Sequence, residues 1–163
     1  DEAKLILNSS ASKEEKVEKL SVIALKTVDV KGIGYYTLGK KRKEITPDEL
    51  KQYEELFQKY FLKSFTSRLT DYSDPKIAVV SAEKTSEKYT IVKTMLLKTD
   101  KKPEVKIDWR VYTKDPNKPL IRDLIVEGLS LARTQKEEFA SILSTNNNDV
   151  NALFIKLEEF INK

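Results

Sequence analysis

The sequence predicts an α+β domain: a curved antiparallel sheet of four strands, with room for a fifth, packed by helices from both ends of the chain. Three observations carry this expectation. Apolar residues recur at helical spacing in the first 70 residues and again after residue 130. Between residues 76 and 127 the period switches to alternation, and the alternating runs are separated by turns of a few polar residues, which makes successive strands antiparallel neighbours. With 163 residues, 39% of them hydrophobic, and no linker, repeat or low-complexity tract, the chain is read as one domain over 1–163 with a single core.

Taken in order, the first helical pattern places Val17, Leu20, Ile23, Ala24 and Val28 on one stripe, with Ser12 as its cap ahead of an acidic first turn. Next comes a short segment holding Gly32, Gly34 and Gly39, three of the four glycines in the chain, so turns or close backbone approaches are expected there. Thr46, Pro47 and Glu49 form a capping box with proline at the first helical position, the strongest helix start in the sequence. The stripe that follows, Leu50, Tyr53, Phe57, Tyr60, Phe61, Phe65, Leu69 and Tyr72, implies a helix of about 26 residues and roughly 39 Å.

After Ser73-Asp74-Pro75 the strand pattern begins, with turns near Thr85-Ser86, Asp100–Pro103 and Lys114–Lys118. The third run is the cleanest. Val105, Ile107, Trp109 and Val111 face one way, while Lys106, Asp108, Arg110 and Tyr112 face the other and are expected to meet water. Two closing helices carry Ala132, Phe139, Ile142 and Leu143, then Val150, Leu153, Phe154, Leu157 and Ile161.

Composition excludes several function classes. The net charge of +4 arises from 30 basic residues interleaved with 26 acidic ones, a mixed solvated surface rather than a nucleic-acid stripe. The basic run Lys40–Lys43 is flanked by Glu44 and Asp48 and reads as a solvated connector. Without cysteine there are no disulfides, thiolate metal sites or thiol nucleophiles. No apolar run approaches the roughly eighteen residues of a membrane span. No phosphate-binding, dinucleotide-binding or calcium-loop motif is present, so neither a cofactor nor a metal is expected. Gly128-Leu129-Ser130 resembles part of a nucleophile elbow, but the chain has no histidine to activate the serine, and Ser130 reads instead as a helix cap. No catalytic residue is assigned and the protein is not expected to be an enzyme. The rival reading is a small-molecule isomerase or dehydratase using Asp108, Asp123 and Tyr112.

An ordered set of motifs resembles the MlaC or toluene-tolerance family of periplasmic phospholipid-binding proteins over residues 28 to 160. The set comprises Leu38-Gly39, Thr46-Pro47, a strand carrying Asp123, and Glu127-Gly128-Leu129-Ser130. Two departures stand out. Lys41 and Arg42 replace aromatics that the family often carries after the Leu-Gly pair, and Pro119 and Arg122 replace the usual Trp and Tyr of the last strand.

The resemblance implies a fold like that of nuclear transport factor two, with both acyl tails of a phospholipid held between sheet and helices and the Gly-Leu-Ser turn as a corner at the pocket rim. The acyl pocket is then expected to be lined by Leu38, Phe57, Phe61, Phe65, Ile91, Met95, Val105, Ile107, Trp109, Val111, Ile125 and Leu129. It further implies a monomeric carrier in the periplasm that maintains outer-membrane asymmetry. Its partners would be an inner-membrane ABC transporter with a lipid-binding ring and an outer-membrane lipoprotein–porin complex. The start at Asp1 rather than Met is the form expected once a targeting segment has been removed.

Overall fold

The protein is described here by a computed structural model covering residues 1–72 and 75–163. Ser73 and Asp74, at the predicted break between helix and strands, lie outside the described residues. Six α-helices and five strands are assigned among the described residues, in the order α1 to α4, β1 to β5, α5, α6. The chain divides into two compact units: a sheet unit of Asp1–Asp29 with Thr66–Leu131, and a helical unit of Val30–Phe65 with Ala132–Lys163.

The sheet unit starts with α1 (Glu2–Leu7), a single short helix that the sequence pattern did not reveal, followed by α2 (Lys13–Thr27). The Ser12 cap forms as expected: its hydroxyl accepts from Glu15 N–H at 3.2 Å, and the Glu15 carboxylate accepts from Ser12 N–H at 3.2 Å. Lys16 ties the two helices by donating to the Leu7 carbonyl at 2.9 Å. Val28, expected to continue α2, instead leaves the helix in extended conformation and forms an isolated parallel bridge to Ile121.

The strands are β1 (Ile77–Lys84), β2 (Tyr89–Leu96), β3 (Val105–Tyr112), β4 (Leu120–Val126) and β5 (Leu129–Ser130). They pair antiparallel in sequence order, so the expected meander is present and the fifth strand exists as two residues. Glu127 and Gly128 join β4 to β5 with φ of 50° and 81°. Positive φ at both central residues is what a two-residue hairpin requires, and glycine supplies it at no steric cost. The Gly-Leu-Ser corner is thus a hairpin turn, braced where Lys106 N–H donates to the Glu127 carboxylate at 2.7 Å.

In the helical unit the glycine-bearing segment is itself a helix, α3 (Val30–Leu38), ended by Gly39 at φ 62° and a 3₁₀ turn over Gly39–Lys43. The capping box starts α4 (Pro47–Leu69): Glu49 N–H donates to Thr46 Oγ1 at 3.1 Å, and Thr46 N–H to the Glu49 carboxylate at 2.9 Å. At 23 residues α4 stops just short of the predicted length, and its last turn, from Thr66, is counted with the sheet unit. The closing pair is α5 (Leu131–Thr145) and α6 (Val150–Ile161), joined by a turn in which Asn147 and Asn148 both have positive φ.

Candidate functional site

The aromatic stripe of α4 runs through the helical unit, and its first two rings, Tyr53 and Phe57, are buried. Tyr53 is 0% and Phe57 3% exposed, stacked with ring centroids 5.8 Å apart, and Phe139 of α5 meets Phe57 edge-on at 6.3 Å. The stacking continues through Phe61 to Phe65, 5.8 Å apart, and both of these rings keep some accessible surface. α3 can approach α4 because Gly34 has no side chain: a Cβ there would lie 2.8 Å from Cδ1 of Phe57. Inside this contact the Tyr53 hydroxyl bonds the Gly34 carbonyl at 3.1 Å and Thr37 Oγ1 at 2.8 Å. Burial pushes the Tyr53 phenol far above its ordinary pKa, against a smaller lowering by Thr37. Leu38, 3% exposed, is likewise consumed inside this unit.

A cleft of about 80 Å³ opens between α3 and α4, lined by Val30, Gly34, Tyr35, Tyr53, Glu54 and Phe57 among others. It is far below the roughly 300 Å³ at which ligand pockets begin. At its mouth the Tyr35 hydroxyl donates to Glu54, which raises the pKa of Tyr35. Arg42 has its guanidinium 5.3 Å from the centre of the Tyr35 ring, and its neighbour Lys41 donates to the Asn148 carbonyl at 2.6 Å.

The register of the sheet sorts its expected pocket residues into two faces, because directly paired residues project to the same side. Val105, Ile107, Trp109 and Val111 share a face, as expected, and pair with Leu96, Thr94, Val92 and Thr90 of β2. From β4, Val126, Leu124 and Ile121 pair onto the same face, and Leu129 joins it through Val126. Only Thr94 and Leu96 of this face are buried; the rest of β2, β3 and β4 on it is half-buried, and Leu129 is 57% exposed. The polar atoms here are satisfied: Trp109 Nε1 donates to Thr94 Oγ1 at 2.9 Å, which donates on to the Ile107 carbonyl at 2.6 Å.

Ile91, Met95 and Ile125 fall on the opposite face. Ile91 pairs with Arg110, Met95 with Lys106, and Ile125 with Asp108. The structure therefore separates these three from the other five sheet residues of the expected pocket. Val92, Leu96, Ile121, Leu124 and Val126, which sequence reasoning did not name, share the face of Ile107 and Trp109 instead. β2 is apolar on both sides, so its own alternation is silent and only pairing with β3 assigns its residues to faces.

This opposite face also corrects the expectation that Asp108 and Tyr112 point to water. Asp108 Oδ1 is fully buried without a hydrogen-bond partner, and Tyr112 is half-buried. Around Tyr112 the physical reason is crowding by long neighbours. Tyr112 meets Tyr89 edge-on at 5.5 Å, Arg122 lies 4.1 Å over Tyr112, and Arg110 lies 3.9 Å over Tyr89. Arg122 donates from Nε to Asp29 at 2.9 Å and from a terminal nitrogen to the Tyr89 hydroxyl at 2.8 Å. Burial opposes its charge, but the bonds and fields of Tyr89 and Asp29 leave its pKa raised. Nearby, the Ser130 hydroxyl, at the residue preceding α5, donates to the Asp123 carboxylate, which also accepts from Leu124 N–H at 2.8 Å.

Among the described residues no helix is long and apolar enough to cross a membrane. Comparison with solved structures finds a phospholipid-binding protein from Ralstonia solanacearum, determined in complex with a phospholipid, at a TM-score of 0.75 and 22% identity, covering 90% of this chain and 81% of that one. At that identity the likeness is one of fold. The family model described as MlaC protein matches residues 1–159, nearly the whole sequence. The chain belongs to the MlaC family.

Proposed function

We propose that this protein is a phospholipid carrier whose acyl tails lie along the half-buried apolar face of the sheet, at Val105, Ile107, Trp109, Val111 and Leu129. The observation that carries this is the state of that face. Its side chains are apolar and its polar atoms are satisfied, yet most of it remains partly accessible. Leaving such surface to water costs about 25 cal/mol for each Å², a cost that a bound acyl chain would remove. Family membership and the phospholipid bound by the Ralstonia relative support the same reading.

Each acyl methylene exposed to water costs about 0.8 kcal/mol, so two tails in transit must be enclosed. A bilayer offers them nearly the same stabilisation. Exchange with a membrane is therefore close to balanced, and direction comes from partners that bind one state of the carrier better than the other. By family resemblance those partners are an inner-membrane ABC transporter with a lipid-binding ring and an outer-membrane lipoprotein–porin complex, with the chain working between them in the periplasm as a monomeric, non-enzymatic carrier domain. Native mass spectrometry after gentle purification tests the reading. A stoichiometric phospholipid adduct is expected; a ligand-free mass that phospholipid vesicles cannot convert into an adduct would refute it.

A further inference from the structure

The strand β1 is the long open edge of the sheet, and all of its residues but half-buried Ser81 are exposed. Ile77, Val79 and Val80 are 37%, 68% and 68% accessible. An edge that is long, accessible and apolar is a template on which another strand can pair.

The pairing with β2 decides which backbone groups that edge offers. The Lys76 carbonyl accepts from Leu97 N–H at 2.8 Å, and Thr85 N–H donates to the Tyr89 carbonyl at 3.0 Å. Hydrogen-bonded and non-hydrogen-bonded pairs alternate along an antiparallel ladder, so Ala78, Ser81 and Glu83, opposite Met95, Lys93 and Ile91, turn their N–H and C=O groups to β2. Ile77, Val79, Ala82 and Lys84, opposite Leu96, Thr94, Val92 and Thr90, turn theirs outward. No backbone partner for these outward groups exists among the described residues. The bulge at Val80 keeps the steps even: Val79 and Ala82 are three apart in sequence but face Thr94 and Val92, two apart on β2. The four outward residues therefore follow one another at about 7 Å, the rise of two strand residues.

This set is its own complement. Turned about a two-fold axis, it meets itself with Ile77 opposite Lys84 and Val79 opposite Ala82, and every outward group on both strands finds a partner. A shift by one step loses this, because the next position is Pro75 at one end, which has no N–H, and Ser86 at the other, whose N–H is already donated to the Tyr89 carbonyl at 3.3 Å. Charge fits the same register. No like charges stand opposite one another, and Lys76 becomes the diagonal neighbour of Glu83 in the second copy, twice by symmetry. Glu83 is available for this: its contact with Lys93 is 3.6 Å long and both side chains are exposed.

We propose that β1 is a self-pairing edge, on which a second copy of this chain joins antiparallel about a two-fold axis normal to the sheet. One strand against one strand, without a side-chain core between them, is an interface of the small, transient kind. The pair is therefore reversible and the chain is single when dilute, in keeping with a carrier that works alone. An axis normal to the sheet also leaves the Ile107 faces of both copies on the same side.

Sedimentation velocity of the full chain over a concentration series tests this. The wild type is expected to shift from the mass of one chain towards that of two as concentration rises. Ala82→Pro removes an N–H that β2 does not use, and symmetry removes the bond twice from the joint, so association should weaken by about tenfold or more. Lys76→Glu and Glu83→Lys each set like charges across the joint and should weaken self-association, whereas an equimolar mixture of the two variants restores both diagonal pairs and should dimerise. Thermal melting accompanies every variant; if Ala82→Pro melts early, the charge variants, which touch no ladder bond, carry the test. A wild type that stays single at every concentration leaves the edge to a strand of some other protein and overturns the proposal. So does a dimer that the folded variants leave unmoved, or a mixture that associates no better than its components. Copurified phospholipid is expected to be unchanged throughout, so failure here leaves the carrier reading standing, and lipid-free protein that still pairs does the reverse.

Discussion

The two units of this protein use similar apolar material to opposite ends. In the helical unit a set of rings and aliphatics from three helices is consumed: Tyr53 and Phe57 of α4, Phe139 of α5 and Leu153, Phe154 and Leu157 of α6 are all at most 3% exposed, and even the Tyr53 hydroxyl has its partners. In the sheet unit the face of β2 to β4 that carries Ile107 and Trp109 is as apolar, yet only Thr94 and Leu96 on it are buried. A helix stripe that meets its complement is a core; a sheet face whose backbone ladder is complete but whose side chains stay accessible is a surface prepared for something else. Rigidity comes from the ladder, so the face keeps its shape without being filled.

The largest expected effect is a truncation that contrasts the two. Phe57→Ala should cost about 3–5 kcal/mol in urea unfolding, as a buried aromatic in a filled core does, whereas Ile107→Ala in the lipid-free protein should cost less than the roughly 2 kcal/mol at which core aliphatic truncations begin. Equal losses would erase the distinction between the units. Next in size is Gly34→Ala. Its methyl would sit 2.8 Å from the Phe57 ring, and overpacking of this kind costs about 1–3 kcal/mol, read as a lower melting temperature with lipid content unchanged.

Tyr53→Phe comes third. Losing one hydroxyl with two partners should cost about 1 kcal/mol at neutral pH. Its pH signature is sharper: because burial raises the folded-state pKa of Tyr53, its neutral form stabilises the fold fully below about pH 10, and that contribution declines as pH rises further. Alkaline melts of the wild type should therefore fall away more steeply than those of Tyr53→Phe, and parallel curves would count against a buried neutral phenol. The smallest change in stability is expected for Ile107→Trp, which should melt near the wild type while losing copurified lipid. Met95→Trp, on the other face, should keep its lipid. Lipid lost from Met95→Trp alone would move the tails to the face of Asp108.

Much of this architecture is legible in the sequence because it depends on neighbours along the chain. The capping residues Ser12 and Thr46 name their own partners three residues on, and β3 announces its two faces by alternation. What stays hidden depends on partners far away. Gly34 looks like a turn residue until Phe57 lies against it, and α1 is too short for periodicity to register. Ile91 and Met95 belong to a strand apolar on both sides, so nothing local tells which side faces Ile107.

By itself, then, the sequence determined the α+β order, the antiparallel meander, both helix caps, the Glu127-Gly128 corner and, through its ordered motifs, the family. These follow from backbone chemistry and from spacing along the chain, which tertiary contacts do not rewrite. Tertiary structure alone decided which apolar residues are spent and which remain available, and which charges pair. Asp108 and Arg110 each have an opposite charge beside them in the register, and both pairs fail, because Lys93 reaches Glu83 and Asp123 reaches Ser130. Side-chain partners are chosen by competition in three dimensions, and composition does not record the outcome.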